Sequence, residues 1–182
     1  MSQPLPTLVL TVALDDDLLT LNRVVGIMRR HNLAVGGLAV GPGPKGGQSR
    51  LTCTVASDPG AVDRMANALR KTVGVRDVTT LPESACTTRE HLLLRLRHGP
   101  SRLSALLDVL ALYEARILEE TPEELVVEAT GAAPLLGSLL RALEPYGVLA
   151  QVRGGAVALP RTGPATAGRD VLPAPVPAAI PA

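Results

Sequence analysis

Residues 7–40 read TLVLTVALDDDLLTLNRVVGIMRRHNLAVGGLAV. Thr7 to Leu14 is rich in β-branched residues with partial alternation, which predicts a strand. Asp15-Asp16-Asp17 follows, and aspartate side chains accept the orphan N–H groups that open a helix. Leu18, Leu21, Val25 and Met28 then recur at three- and four-residue spacing, the mark of one apolar helix stripe. Arg29, Arg30 and His31 fill the last turn, where positive charge suits the helix dipole. Leu33 to Val40 returns as a strand. A strand, a helix and a second strand in this order open a split βαβ unit.

Working outward, Gly41 to Gly47 (GPGPKGG) breaks regular structure and reads as a hairpin loop. Arg50 to Ala56 alternates as a third strand. Asp58-Pro59 opens a second helix striped by Val62, Met65 or Ala66, Leu69 and Val73, ended at Gly74. Val75 to Leu81 closes the unit. The same order recurs after a linker at Pro82 to Thr88. Glu90 to Arg97 is a strand, and Gly99-Pro100-Ser101 opens a helix striped by Leu103, Leu106, Leu110 and Tyr113. Arg116 to Glu120 and Glu124 to Ala129 pair around Thr121-Pro122. Ala133 to Leu143 is a helix with Leu135, Leu136, Leu139, Leu140 and Leu143 inward. Val148 to Val152 and Ala156 to Leu159 are extended, broken at Gly154-Gly155. The fold class is α+β, two tandem ferredoxin-like βαββαβ modules. The expected organisation is a flexible start at 1–6, a first module at 7–82, a linker at 83–88, a second module at 89–160 and a Pro/Ala-rich tail at 161–182. That tail reads as disordered or polyproline-like, either solvated or an interaction arm.

Composition narrows the function. The chain has 182 residues and a formal net charge of +1. It has no Trp or Phe and only Tyr113 and Tyr146. A nucleic-acid binder needs a basic face to release counterions and often aromatic platforms for bases, so that class is disfavoured. No apolar run approaches the ~20 residues of a membrane span. The first 14 residues lack a basic segment and run into three aspartates, unlike a signal peptide. Cys53 and Cys86 make no disulfide framework; Cys53 reads as a core residue, Cys86 as surface, and a reducing cytoplasm is expected.

No catalytic constellation assembles. His31, His91 and His98 lack ligand spacing, so no metal site is expected. No G-x-S-x-G elbow is present. The glycine loop at 41–47 has its Lys before the last glycines and joins two strands, which a phosphate loop does not. Glu119-Glu120 and Glu123-Glu124 read as a solvated hairpin end. One place is better suited to a ligand: Asp15 to Leu19 brings carboxylates to a helix start. Its amides can hold a carboxylate and an Asp an ammonium, together a free amino acid. Simple helix capping explains the same residues and is the commoner use.

Thr11 to Val40 resembles the opening of an acetolactate synthase small subunit, with Leu21, Arg23, Val24 and Gly26 on that family's L-x-R-V-x-G pattern. Ser49-Arg50-Leu51-Thr52 is similar to its S-R-M/L-T strand. Val75, Val78 and Leu81 fall where the first module ends, and Arg89-Glu90 resembles the start of the second. Gly154-Gly155 with Leu159-Pro160-Arg161 resembles its ending. The resemblance implies an N-terminal ACT domain that senses an amino acid and dimerises, then a second ACT-like module that helps engage a catalytic large subunit. That large subunit makes acetolactate in branched-chain amino-acid synthesis. Thiamine diphosphate, Mg and FAD belong to it, and no cofactor is expected on this chain.

The family's loop usually reads N-x-x-G, with a further Asn early in the second strand, all contacting valine at the dimer interface. Here these fall on Asp16, Leu19 and Ala34. Asp16 can still hold an ammonium. Leu19 crowds an approach that Gly permits, and Ala34 offers no amide. The candidate ligand-binding residues are Asp16, Asp17, Leu18, Leu19, Thr20, Ala34 and Val35, with valine feedback weakened or altered. A free-standing amino-acid-binding ACT protein and a scaffolding protein that has lost its ligand are the alternatives.

Overall fold

The computed structural model describes residues 5–99 and 101–162. Residues 1–4, Pro100 and the tail from 163 onward lie outside the described residues. The first module runs β1 (Thr7–Asp15), α1 (Leu18–His31), β2 (Ala34–Pro42), β3 (Gln48–Ala56), α2 (Pro59–Arg70) and β4 (Val75–Pro82). The second runs β5 (Cys86–Arg97), α3 (Leu103–Leu112), β6 (Arg116–Glu120), β7 (Glu124–Gly131), α4 (Ala133–Leu143), β8 (Val148–Arg153) and β9 (Val157–Pro160). The sheet orders are β2-β3-β1-β4 and β6-β7-β5-β8, with every neighbouring pair antiparallel. This is the split βαβ order of a ferredoxin-like unit, present twice.

Each sheet buries one face under its own two helices. In β1 the alternate residues Leu10, Val12 and Leu14 are buried, and β3 answers with Leu51, Cys53 and Val55 in register. Val24, Ile27 and Met28 of α1 and Val62, Met65, Ala66 and Leu69 of α2 close that core. In the second module Leu92, Leu94 and Leu96 of β5 pair with Ala129, Val127 and Leu125 of β7. Leu106 and Leu110 of α3 and Leu136, Leu139 and Leu143 of α4 cover them. No aromatic ring is among the fully buried residues of either core, though half-buried Tyr113 and Tyr146 pack against the second, so leucine shape supplies most of the packing.

Several expectations are corrected. The α1 stripe is Val24, Ile27 and Met28 with buried Thr20, whereas Leu18 is 84% exposed and Val25 is also exposed. The helix docks on the sheet through Val24, Ile27 and Met28, and that docking turns Leu18 and Val25 outward. Val73 lies beyond α2 and is exposed, and Leu135 is half-exposed. Strand β2 continues through Gly41 and Pro42, leaving 43–47 as the turn; proline is tolerated there because β2 is an edge. The segment read as a linker is a 3₁₀ turn at Glu83–Ala85 followed directly by β5.

Cys86 is buried, not superficial, because β5 is longer than one module needs. Its residues Leu92–Leu96 pair with β8, while Cys86–Arg89 pair with β9. There Cys86 and Ala158 pack on Val9 of β1, with Leu81 beside them. Val9 points away from the first module's helices, so β9 ties the second module to the helix-free face of the first sheet. Both thiols are raised by burial, that of Cys53 to about 12.

Two outcomes follow from this packing. Met28→Ala should cost about 2–5 kcal/mol in urea unfolding, whereas Leu18→Ala should stay within about 0.5 kcal/mol. A thiol reagent at neutral pH should leave Cys53 and Cys86 unmodified in the native chain and label both in denaturant.

Candidate functional site

Three consecutive aspartates run from the last residue of β1 to the cap of α1, and each does a different job. Asp15 ends the strand and pairs with Arg76 of β4, at 2.7 and 3.2 Å. Asp16 accepts a 2.6 Å hydrogen bond from the Ser49 hydroxyl of β3, and its own N–H donates to the Gly47 carbonyl at 3.0 Å. Asp17 caps α1: its carboxylate accepts from the Thr20 N–H and from the Thr20 hydroxyl, each at 2.8 Å. Those two bonds hold its pKa below the usual carboxylate value. Capping therefore accounts for Asp17.

What remains for a ligand is correspondingly smaller. Of the four amides at the helix start without an intrahelical partner, that of Thr20 is taken by the Asp17 carboxylate and that of Asp17 by the Asp15 carbonyl. Half of the first-turn amides are thus already satisfied. Asp16 is exposed and has one carboxylate oxygen engaged by Ser49, which leaves the other for an ammonium. Leu18 and Leu19 are both exposed and wall the loop with apolar surface. Thr20 is buried beneath, against Gly74 at φ +91°, where any Cβ would collide with the Thr20 side chain. Gly74 is therefore fixed both by its backbone conformation and by the lack of room.

The remaining two candidates sit elsewhere. Ala34 pairs with Ala56 and Val35 with Val55, at the far end of β3 from Ser49, which pairs with Pro42. The separation along β2 is roughly 25 Å at strand rise. Within one chain, then, Asp16, Asp17, Leu18, Leu19 and Thr20 come together, and Ala34 and Val35 do not join them. Ser49, Gly74 and Arg76 are the residues that sequence reasoning did not assign to the loop. Ser49 stood inside the S-R-L-T motif, but its register opposite Leu14 became visible only with the sheet.

A family model described as the small subunit of acetolactate synthase matches residues 89–162. The acetolactate synthase small subunit of Mycolicibacterium smegmatis is 30% identical over 88% of this chain and 95% of its own length. That of Mycobacterium leprae is 32% identical over 86% and 93%. The chain belongs to the acetolactate synthase small-subunit family. The crystal structure of the Thermotoga maritima small subunit shares the fold, with a TM-score of 0.80 at 22% identity, covering 86% of this chain and 98% of that one. The family model covers the second module alone, whereas the likeness to the two mycobacterial relatives, over 88% and 86% of this chain, extends across both.

The Asp17 cap has a pH signature. Its pKa is lower folded than unfolded, so its stabilisation is complete above the unfolded carboxylate value and is lost as pH falls toward the folded one. The difference in melting temperature between the native chain and Asp17→Ala should be largest near neutrality and shrink below about pH 4. A difference that stayed constant to pH 2.5 would contradict this assignment.

Proposed function

We propose that this chain is a non-catalytic regulatory subunit that binds and activates the thiamine-diphosphate-dependent large subunit of acetolactate synthase. It would act in branched-chain amino-acid biosynthesis in the cytoplasm, and the cofactors (thiamine diphosphate, Mg and FAD) would sit in the partner. The observation that carries the reading is end-to-end likeness across both modules to proteins named as small subunits of that enzyme. In this reading the first module is the ACT domain and the second helps engage the large subunit.

The subunit works as a homodimer through β2. This strand is an edge, and edges need covering. Val35, Leu38 and Val40 lie opposite the buried Val55, Cys53 and Leu51, yet stand about 40% exposed, extending the apolar face past the last paired strand. An antiparallel pairing of two β2 strands would bring Ala34 and Val35 of one copy toward the Asp16 loop of the other. That geometry would reunite the candidate residues that a single chain keeps apart. With Leu19 exposed where a close approach needs glycine, and Ala34 without an amide, the response to valine is weak or directed to another amino acid.

The deciding experiment mixes the purified chain with the large subunit from the same organism and measures acetolactate formation with and without valine. The expected result is a several-fold gain in rate, co-elution of the two chains, and little inhibition by valine. No gain and no co-elution would favour a free-standing ligand-binding or scaffolding protein instead.

Two variants test the dimer and its ligand. Leu38→Glu should convert a dimer mass to a monomer mass in light scattering at micromolar concentration, without unfolding the chain. Leu19→Gly with Ala34→Asn should create or strengthen valine binding in isothermal titration, and should fail to do so when Leu38→Glu is added.

A further inference from the structure

Outside the aspartate loop, the two modules together form a groove of about 550 Å³. One wall is the helix-free side of the first sheet, with Arg50 and Thr52, and the end of β2 with the start of its turn, residues 39–44. The other wall is Thr87 and Arg89 of β5 and Val157 and Leu159 of β9. Strand β9 presents two faces. Ala158 is buried against Val9 and Cys86, while Val157 and Leu159 are 59% and 57% exposed along the groove. The size falls in the range of small-molecule sites.

The charge in this groove is uncompensated. Among the described residues, ion pairs form at Arg76, Arg95, Arg116 and Arg153, and neither Arg50 nor Arg89 takes part in one. Arg89 donates only to the neighbouring Thr88 carbonyl, at 2.8 Å. Two guanidinium groups, one from each module, thus line an otherwise mainly apolar recess. Guanidinium recognises carboxylates through paired N–H donors. A small, strongly hydrated anion would satisfy the arginines and leave the apolar walls uncovered. A carboxylate with an apolar body would satisfy both.

We propose that this inter-module groove binds a carboxylate bearing an apolar body, its charge held between Arg50 and Arg89 and its body against Pro42, Val157 and Leu159. The site is distinct from the Asp16 loop and does not depend on the regulatory-subunit reading. A ligand held by both modules stabilises their docking by mass action. It would therefore raise the melting temperature of the whole chain, and it gives a small metabolite a means of influencing how the modules sit.

The test is isothermal titration of the full chain with octanoate, with octanamide and inorganic phosphate as controls, alongside thermal melts. Octanoate should bind once per chain and raise the melting temperature. Octanamide and phosphate should each bind at least tenfold more weakly. Arg50→Gln and Arg89→Gln should each weaken octanoate at least tenfold, as loss of a charge-assisted bond does. Asp16→Asn should leave octanoate binding unchanged. Should either glutamine variant melt early without ligand, Val157→Ser supplies an independent probe of the exposed wall and should weaken octanoate several-fold. Equal binding of octanamide, equal binding by folded arginine variants, or no octanoate binding at millimolar concentration would overturn the proposal.

Discussion

Gly155 lies against the backbone of Leu38, so closely that a Cβ would stand 2.5 Å from the Leu38 carbonyl oxygen. Only glycine allows that approach. Much of the molecule's organisation hangs on it. The chain leaves β8 at Arg153, passes over β2 of the first sheet, and enters β9 at Val157. From there β9 can pair with the start of β5 and bury Ala158 on Val9. Without this crossing, the second module would meet the first mainly through the short turn at Glu83–Ala85. With it, the helix-free face of the first sheet becomes an interior surface at one end and the wall of a groove at the other.

The aspartate loop illustrates how position divides labour among identical side chains. Asp15 is still in the strand and reaches sideways to Arg76, Asp16 turns across to Ser49, and Asp17 stands at the helix start. The geometry of the strand-to-helix turn assigns these roles. It leaves one partly engaged carboxylate for a ligand, and it places that carboxylate at the opposite end of β2 from Ala34. In the proposed reading a complete amino-acid site would need a second chain, and the open β2 edge, with its half-exposed apolar row, would be the means of supplying one. Dimerisation and effector binding would then be two consequences of one unpaired strand.

Much of the architecture was legible because each element carried its own signal. Alternating β-branched runs marked β1 and β3, leucines at helical spacing marked α3 and α4, and Gly154-Gly155 marked the break before β9. The failures were of another kind. Leu18 and Val25 fit a three-and-four spacing as well as Val24 and Ile27 do, and only docking on the sheet decides between them. Cys86 looked superficial because its neighbours are polar, whereas its burial comes from β9, more than seventy residues away in sequence. The loop half of the candidate site was readable from its residue types. The separation of Ala34 and Val35 from it follows from the βαβ topology, in which β1 and β2 run parallel and the end of one lies at the opposite edge of the sheet's length from the start of the other, although residue spacing alone does not show it.

By itself, then, the sequence determined the element order, the repeated βαββαβ topology and the family, since these rest on local periodicity and short motifs. Tertiary structure alone decided which face of α1 is buried, where β9 docks, and that Arg50 and Arg89, from two separate motifs, line one groove. The physical reason is range. Periodicity and capping act over a few residues, whereas register and close packing depend on contacts between segments that local preference cannot specify.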